Sequence, residues 1–195
     1  MKLAFRLAAA LAVALTLTAA DARAAFTVTL DSTTPSGLNT PFNYSAEISA
    51  GDTLTAGDFF RIYDFAGLVG LPTAPAGWTV TTALLNPTPP PDVLLSNGDS
   101  ATLLNLIFTY NGAPVTGPAV FSPFSAISTI NDLVVTKDFV GRVTKSPGAS
   151  GGTFVDSVGA VRVPGVPEPA SMLSVGLGLL VLGSAYGVRA RNRCV

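Results

Sequence analysis

The 195 residues carry 12 acidic and 11 basic side chains, no histidine and one cysteine, for a formal net charge of −1. This composition excludes Ser-His and Cys-His nucleophiles, histidine or thiolate metal sites and any intramolecular disulfide, so a fold must be held by its core. Hydrophobic residues make up 48% of the chain, but the excess sits in two terminal segments, and the roughly 140 residues between them match one ordinary domain.

Residues 1–24 have the three parts of a secretory signal. Lys2 and Arg6 form the basic start, Leu7 to Leu17 the apolar stretch, and Ala22-Arg23-Ala24 an A-x-A cleavage site. Cleavage is expected after Ala24, with Ala25 as the second choice. An apolar run of about 11 residues is too short for a hydrocarbon core that needs roughly 20, so a signal helix that is removed is the better reading than a permanent span. No cysteine stands at or near the cleavage site after the run, which closes the route to an acylated lipoprotein.

Residues 25–165 read as β throughout, predicting an all-β domain, an antiparallel β-sandwich of about eight or nine strands. Phe26 to Leu30 alternates cleanly, as do Phe42, Tyr44, Ala46 and Ile48 with polar residues between them. Further strands are expected over Phe59 to Phe65, Trp78 to Leu85, Ala101 to Tyr110, Val120 to Ile130, Leu133 to Thr144 and Thr153 to Val163. Within Ala101 to Tyr110, the face with Leu104, Leu106, Phe108 and Tyr110 points to the core, and Leu103, Asn105, Ile107 and Thr109 form a mixed opposite face. Pro123 cannot donate to a ladder and confines its segment to an edge or a bulge. The prolines of Asn86 to Asp92 give a stiff connection, Asn97-Gly98-Asp99 and Asn111-Gly112 mark turns, and Ser146 to Gly152 is a glycine-rich loop.

Catalytic candidates are confined to carboxylates, because Asp52, Asp58 and Asp64 lie near one another in sequence, as do Asp132 and Asp138. None has calcium-loop spacing, and aspartates in turns and strand ends usually make local hydrogen bonds, so no catalytic residue, metal or cofactor is assigned. The aromatic-rich Gly57 to Phe65 offers either a core strand or a platform for sugar rings, and is read here as core. Arg61, Lys137, Arg142, Lys145 and Arg162 face ten acidic residues within 25–165, a net charge of about −5. Nucleic acid is therefore not an expected partner, since binding it requires a basic patch.

The last 30 residues carry the clearest signal. Ala170 to Val188 holds no charged residue in 19 positions, a length of about 28 Å as a helix, enough for a transmembrane helix. Arg189, Arg191 and Arg193 follow at once and act as a basic stop-transfer tail on the cytoplasmic side. The span also holds a Gly183-x-x-x-Gly187 spacing of the kind that lets membrane helices approach. Ahead of it, Pro164, Pro167 and Pro169 favour an extended, exposed chain that fits a processing enzyme's groove, with Glu168 as the charge beside the span.

Val166-Pro167-Glu168-Pro169, the apolar span and the arginine-rich end together resemble the PEP-CTERM sorting signal; Ala190, Asn192 and the terminal Cys194-Val195 depart from an unbroken basic end. The resemblance implies an exosortase-type membrane enzyme as partner. It also implies export, membrane anchoring through residues 170–188, and then cleavage near the motif to a cell-surface or extracellular form, often in bacteria that make exopolysaccharide. The domain organisation is thus 1–24 signal peptide, 25–165 β-sandwich and 166–195 sorting signal. The expected role is a structural or adhesive matrix component associated with exopolysaccharide and without enzymatic activity. A carbohydrate-binding module and a permanently anchored single-pass membrane protein are the alternatives.

Overall fold

A computed structural model of the chain describes residues 25–85, 93–131, 133–145 and 154–166. Both terminal segments, and with them the signal helix and the membrane helix expected from sequence, lie outside the described residues. Among the described residues no helix is long and apolar enough to cross a membrane.

The described chain is all-β, with eleven strands: β1 Phe26–Thr33, β2 Thr40–Ile48, β3 Asp52–Leu54, β4 Phe59–Phe65, β5 Leu68–Thr73, β6 Trp78–Ala83, β7 Leu104–Tyr110, β8 Val115–Thr116, β9 Ala119–Ser128, β10 Val134–Lys145 and β11 Phe154–Pro164. They form two antiparallel sheets. One has the order β1-β2-β9-β5; the other runs β6-β7-β4-β10, with β11 on the far edge of β10, and with β3 and β8 extending the β4 and β7 rows. The count exceeds the eight or nine expected because β3 and β8, with 3 and 2 residues, are too short to carry a period. The third addition, β5, contains Gly70 and Pro72, which read as breakers but are tolerated on the edge that β5 occupies.

Alternation accounts for which side chains face inward. Phe26 and Val28 of β1, Phe42, Tyr44, Ala46 and Ile48 of β2, Phe60 and Ile62 of β4, and Leu106, Phe108 and Tyr110 of β7 are all buried between the sheets. The β7 face expected to point inward does so, apart from half-buried Leu104. Pro123 lies in a bulge: Tyr44 pairs with Phe124 and Ala46 with Phe121, so two residues of β9 oppose one of β2. The bulge, not an edge position, is what admits the proline.

Aromatic rings lock the two layers together. Phe60 stands at the centre, stacked on Phe108 at 4.7 Å and meeting Phe124 of the opposite sheet edge-on at 4.8 Å. Phe26 approaches it from β1 at 5.5 Å, and Trp78 contacts Phe60, Phe121 and Phe124. Gly141 makes room for this arrangement, since a β-carbon there would come within 2.7 Å of the Phe26 ring. Tyr44 is fully buried, and burial pushes its phenol up, so it remains a neutral donor to the Arg162 carbonyl at 3.1 Å.

Phe60→Ala should lower the unfolding free energy by about 3–5 kcal/mol, the cost of an aromatic cavity in a packed core. Val120→Ala, at a position 63% exposed, should stay within about 0.5 kcal/mol. Urea titration followed by tryptophan fluorescence compares the two, and equal losses would refute the central role of Phe60.

Candidate functional site

The described chain ends at the point where its sorting segment begins. β11 pairs with β10 along its length as far as Val134 opposite Pro164. Two backbone bonds then fasten the exit: Ala66 N–H donates to the Pro164 carbonyl at 3.3 Å, and Gly165 N–H donates to the Leu133 carbonyl at 3.0 Å. Glycine is required at 165, because a β-carbon there would collide with the Val135 side chain. Val166, the first residue of the motif read from sequence, is 54% exposed at this exit.

Beside the exit is a cleft of about 530 Å³ lined by Asp64, Asn97, Ser100, Leu103, Lys137 and Val166. Its walls are built by buried carboxylates. Asp64 lies in the bulge where β4 slips against β7, with φ 56°, a left-handed conformation that aspartate tolerates better than most residues. Its backbone N–H donates to Asn105 Oδ1 at 2.8 Å, one carboxylate oxygen accepts from Ser100 N–H at 2.9 Å, and the other lies 3.3 Å from Lys137 Nζ. Asp138 accepts twice from Asn97, at 2.7 Å from the backbone N–H and 3.0 Å from Nδ2. Asn105 completes the network by donating to Asp99 at 2.8 Å and to the Leu84 carbonyl at 3.4 Å. The segment 93–103 is thereby strapped to the outer face of the larger sheet.

The remaining aspartates are elsewhere. Asp58 accepts from Thr55 N–H at 2.7 Å and Thr144 N–H at 3.1 Å, tying the turn before β4 to the end of β10. Asp52, on β3, pairs in register with Lys145; burial raises its pKa and the lysine opposes that shift. The sequence group Asp52, Asp58 and Asp64 is therefore split between the two ends of the sandwich. Among the described residues no cluster of His, Cys, Asp and Glu is placed to hold a metal. The chemistry of these carboxylates is acceptance of backbone N–H groups, which fixes loops. Asn105, fully buried, is read from sequence only as part of the mixed face opposite the core; the one signal for its place in this network is an amide inside the apolar run Leu103 to Phe108.

The aromatic segment is core. Phe60, Tyr63 and Phe65 are buried, and only Phe59 is partly open, beneath the Arg61 guanidinium at 4.2 Å. Of the sorting residues, Pro167, Glu168 and Pro169 lie outside the described residues, as do Arg189, Arg191, Arg193, the cleavage residues Ala22 and Ala24, and Asp132.

Among the described residues the last strand, β11, ends at Pro164, and the β domain gives way there to the exit through Gly165 and Val166. Against known families, the PEP-CTERM protein-sorting motif matches residues 165–191, so the chain carries that motif from the residue after β11 onward. The match supports sorting by an exosortase-type system, with export and membrane anchoring before processing by an exosortase-type membrane enzyme. No curated protein matches the chain.

Asp138→Ala removes both bonds that hold Asn97. It should speed amide exchange across Asn97 to Ser100 and cost about 1–3 kcal/mol in stability. Exchange at parental rates would mean that Asp138 does not pin the strap.

Proposed function

We propose that this chain is an exported surface or extracellular-matrix protein whose β domain is a structural or adhesive component associated with exopolysaccharide, delivered by an exosortase-type system. The observation that carries this reading is the coincidence of boundaries: β11 ends at Pro164 and the sorting motif begins at residue 165. Cleavage beyond that boundary leaves every strand of the sandwich in place, so the domain is a cargo that survives loss of its address.

Action by contact, without catalysis, fits the rest of the molecule. The buried aspartates at the cleft and at the far end are engaged in fixing loops, and a hydrolase would need two carboxylates about 5–10 Å apart facing a substrate. An acidic domain of about −5 is suited to solubility outside the cell. The carbohydrate-module alternative loses the platform first considered for it, because three of the four aromatic residues from Phe59 to Phe65 are buried.

Two outcomes are expected. Replacing Glu168 or Pro167 with Ala should leave the full-length form in the membrane fraction, read by intact mass with and without the exosortase. Unchanged release from both variants would favour ordinary proteolysis, and retention of the unaltered chain in the enzyme's presence would favour a permanent anchor. The purified, released protein should be pulled down by the producer's own exopolysaccharide without creating reducing ends, whereas new ends that vanish on Asp58→Asn in a variant that keeps the parental melting temperature would establish an enzyme.

A further inference from the structure

The two poles of the sandwich differ in a way that neither the fold nor the sorting motif requires. Strand directions place the connections 34–39, 66–67, 84–85, 129–133 and 165–166 at the pole from which the chain leaves. Hydrogen bonds join them there: Ser128 Oγ to the Ala66 carbonyl at 2.8 Å, Thr129 N–H to the Gly67 carbonyl at 2.8 Å, Thr40 Oγ1 to Asn131 at 2.8 Å and Asn131 Nδ2 to the Gly37 carbonyl at 3.4 Å. This exit pole displays Leu38 at 85% exposure, Leu84 at 49%, Leu85 at 57% and Val166 at 54%. Among the described residues, the connections at the opposite pole are 49–51, 55–58, 74–77, 111–114 and 117–118, composed only of Ala, Gly, Pro, Ser, Thr, Asn and Asp; its exposed apolar side chains, Val120 at 63% and Phe154 at 49%, sit on strand ends and not on these connections. The exposed leucines Leu71 and Leu94 belong to β5 and to the strap, and are not counted in this collar.

A collar of exposed leucines is costly in water, and a position next to a membrane removes the cost. The length of chain beyond the exit sets how near that membrane is. Three residues, Pro167, Glu168 and Pro169, lie between Val166 and Ala170, where the uncharged span begins, so four residue steps join the two. Even fully extended, four steps reach about 14 Å, and at the rise of a polyproline helix about 12 Å. The headgroup layer itself takes up roughly 5–8 Å of this on each side of a bilayer. The exit pole is thus held within a few ångströms of the lipid surface for as long as the span is inserted. Among the described residues of the five connections that form it none is charged, and the charged groups in the cleft beside Val166 are Asp64, Asp99 and Lys137, a net negative set. Contact therefore rests on apolar burial, and anionic headgroups are not the attraction.

We propose that Leu38, Leu84, Leu85 and Val166 form a docking collar that seats the exit pole of the β domain in the lipid interface before processing. This rests on reading residues 170–188 as a membrane span. Seating fixes the domain upright over its anchor, with the far pole outward and the chain beyond Val166 held at one depth for the membrane-embedded enzyme.

The test uses the full chain with Cys194→Ser, reconstituted into phosphatidylcholine vesicles that contain a nitroxide-bearing lipid as quencher. Single cysteines labelled with a polarity-sensitive fluorophore are placed by Leu38→Cys and Leu85→Cys on the collar, Val120→Cys on an exposed strand end near the far pole, and Leu180→Cys within the span. The expected result is blue-shifted, quenched emission at 38, 85 and 180 and unquenched emission at 120. Quenching at 180 alone would overturn the collar while leaving the span intact, and would transfer the exposed leucines to a contact with the enzyme. Absence of quenching at 180, 38 and 85 together would overturn both the span and the collar. Equal quenching at 120, 38 and 85 would overturn the collar by indicating unoriented adsorption.

Discussion

Everything in this molecule depends on rings meeting between two sheets. With no disulfide available to the exported domain, cohesion comes from apolar burial and from the aromatic contacts that cross the interface: Phe26 to Phe60, Phe42 to Phe65, Phe108 to Phe124 and Trp78 to Phe121 and Phe124. Each such pair adds about 0.5–1.5 kcal/mol to the burial of its area and fixes relative position, because edge-on contacts tolerate little sliding. Strand register follows from the same constraint, since a one-residue slip would turn the whole aromatic set out to solvent. Gly141 belongs to this constraint as well, as the empty place that lets Phe26 approach β10.

Around that core, polar side chains perform a second task. Asp58, Asp64 and Asp138 are almost fully buried, yet each is satisfied, and each joins segments far apart in the chain. An unpaired carboxylate at these depths would be strongly penalised; one that accepts backbone N–H groups converts an otherwise loose connection into a fixed wall. The cleft beside the exit owes its shape to this, as does the strap from residue 93 to 103. Arg142 and Asp156 make a comparable tie nearer the surface, a two-pronged pair at 2.7 and 2.8 Å, and the bond to Asp156 is the main cause that raises the arginine's pKa.

The extent to which the sequence foretold this architecture follows from the range of the interactions concerned. Period-two alternation is local, and it identified the rows Phe26 to Val28 and Phe42 to Ile48 and the inward face of β7 almost residue for residue. Ends were less well marked. β6 stops at Ala83 and β7 starts at Leu104, because the leucines at 84, 85 and 103 look like strand yet lie beyond the pairing of Ala83 with Asn105 and Phe65 with Leu104. The polar network was not foreseen in its connections, since Asp64 meets Ser100 across 36 residues and Asp58 meets Thr144 across 86. No local pattern records such distances. The sorting motif is the opposite case: it is linear, so its composition and order are its whole signal, and the fold adds only the position at which it starts.

The length of the last strand pair has a mechanical meaning. β11 is held to β10 by eleven residue pairs, from Val134 with Pro164 to Thr144 with Phe154. The chain leaves from the end of β11, while β1 begins at the other end of the sandwich, where Phe26 pairs with Ile48. Ladder hydrogen bonds lie perpendicular to the strands. When a domain fixed through its C-terminus is tugged at its outer end, the pull runs along β11, and the ladder is strained in shear with its rungs sharing the load. A strand peeled from one end would give them up singly. The strand that delivers the address is thus also one on which a load applied at the far end is shared among eleven residue pairs.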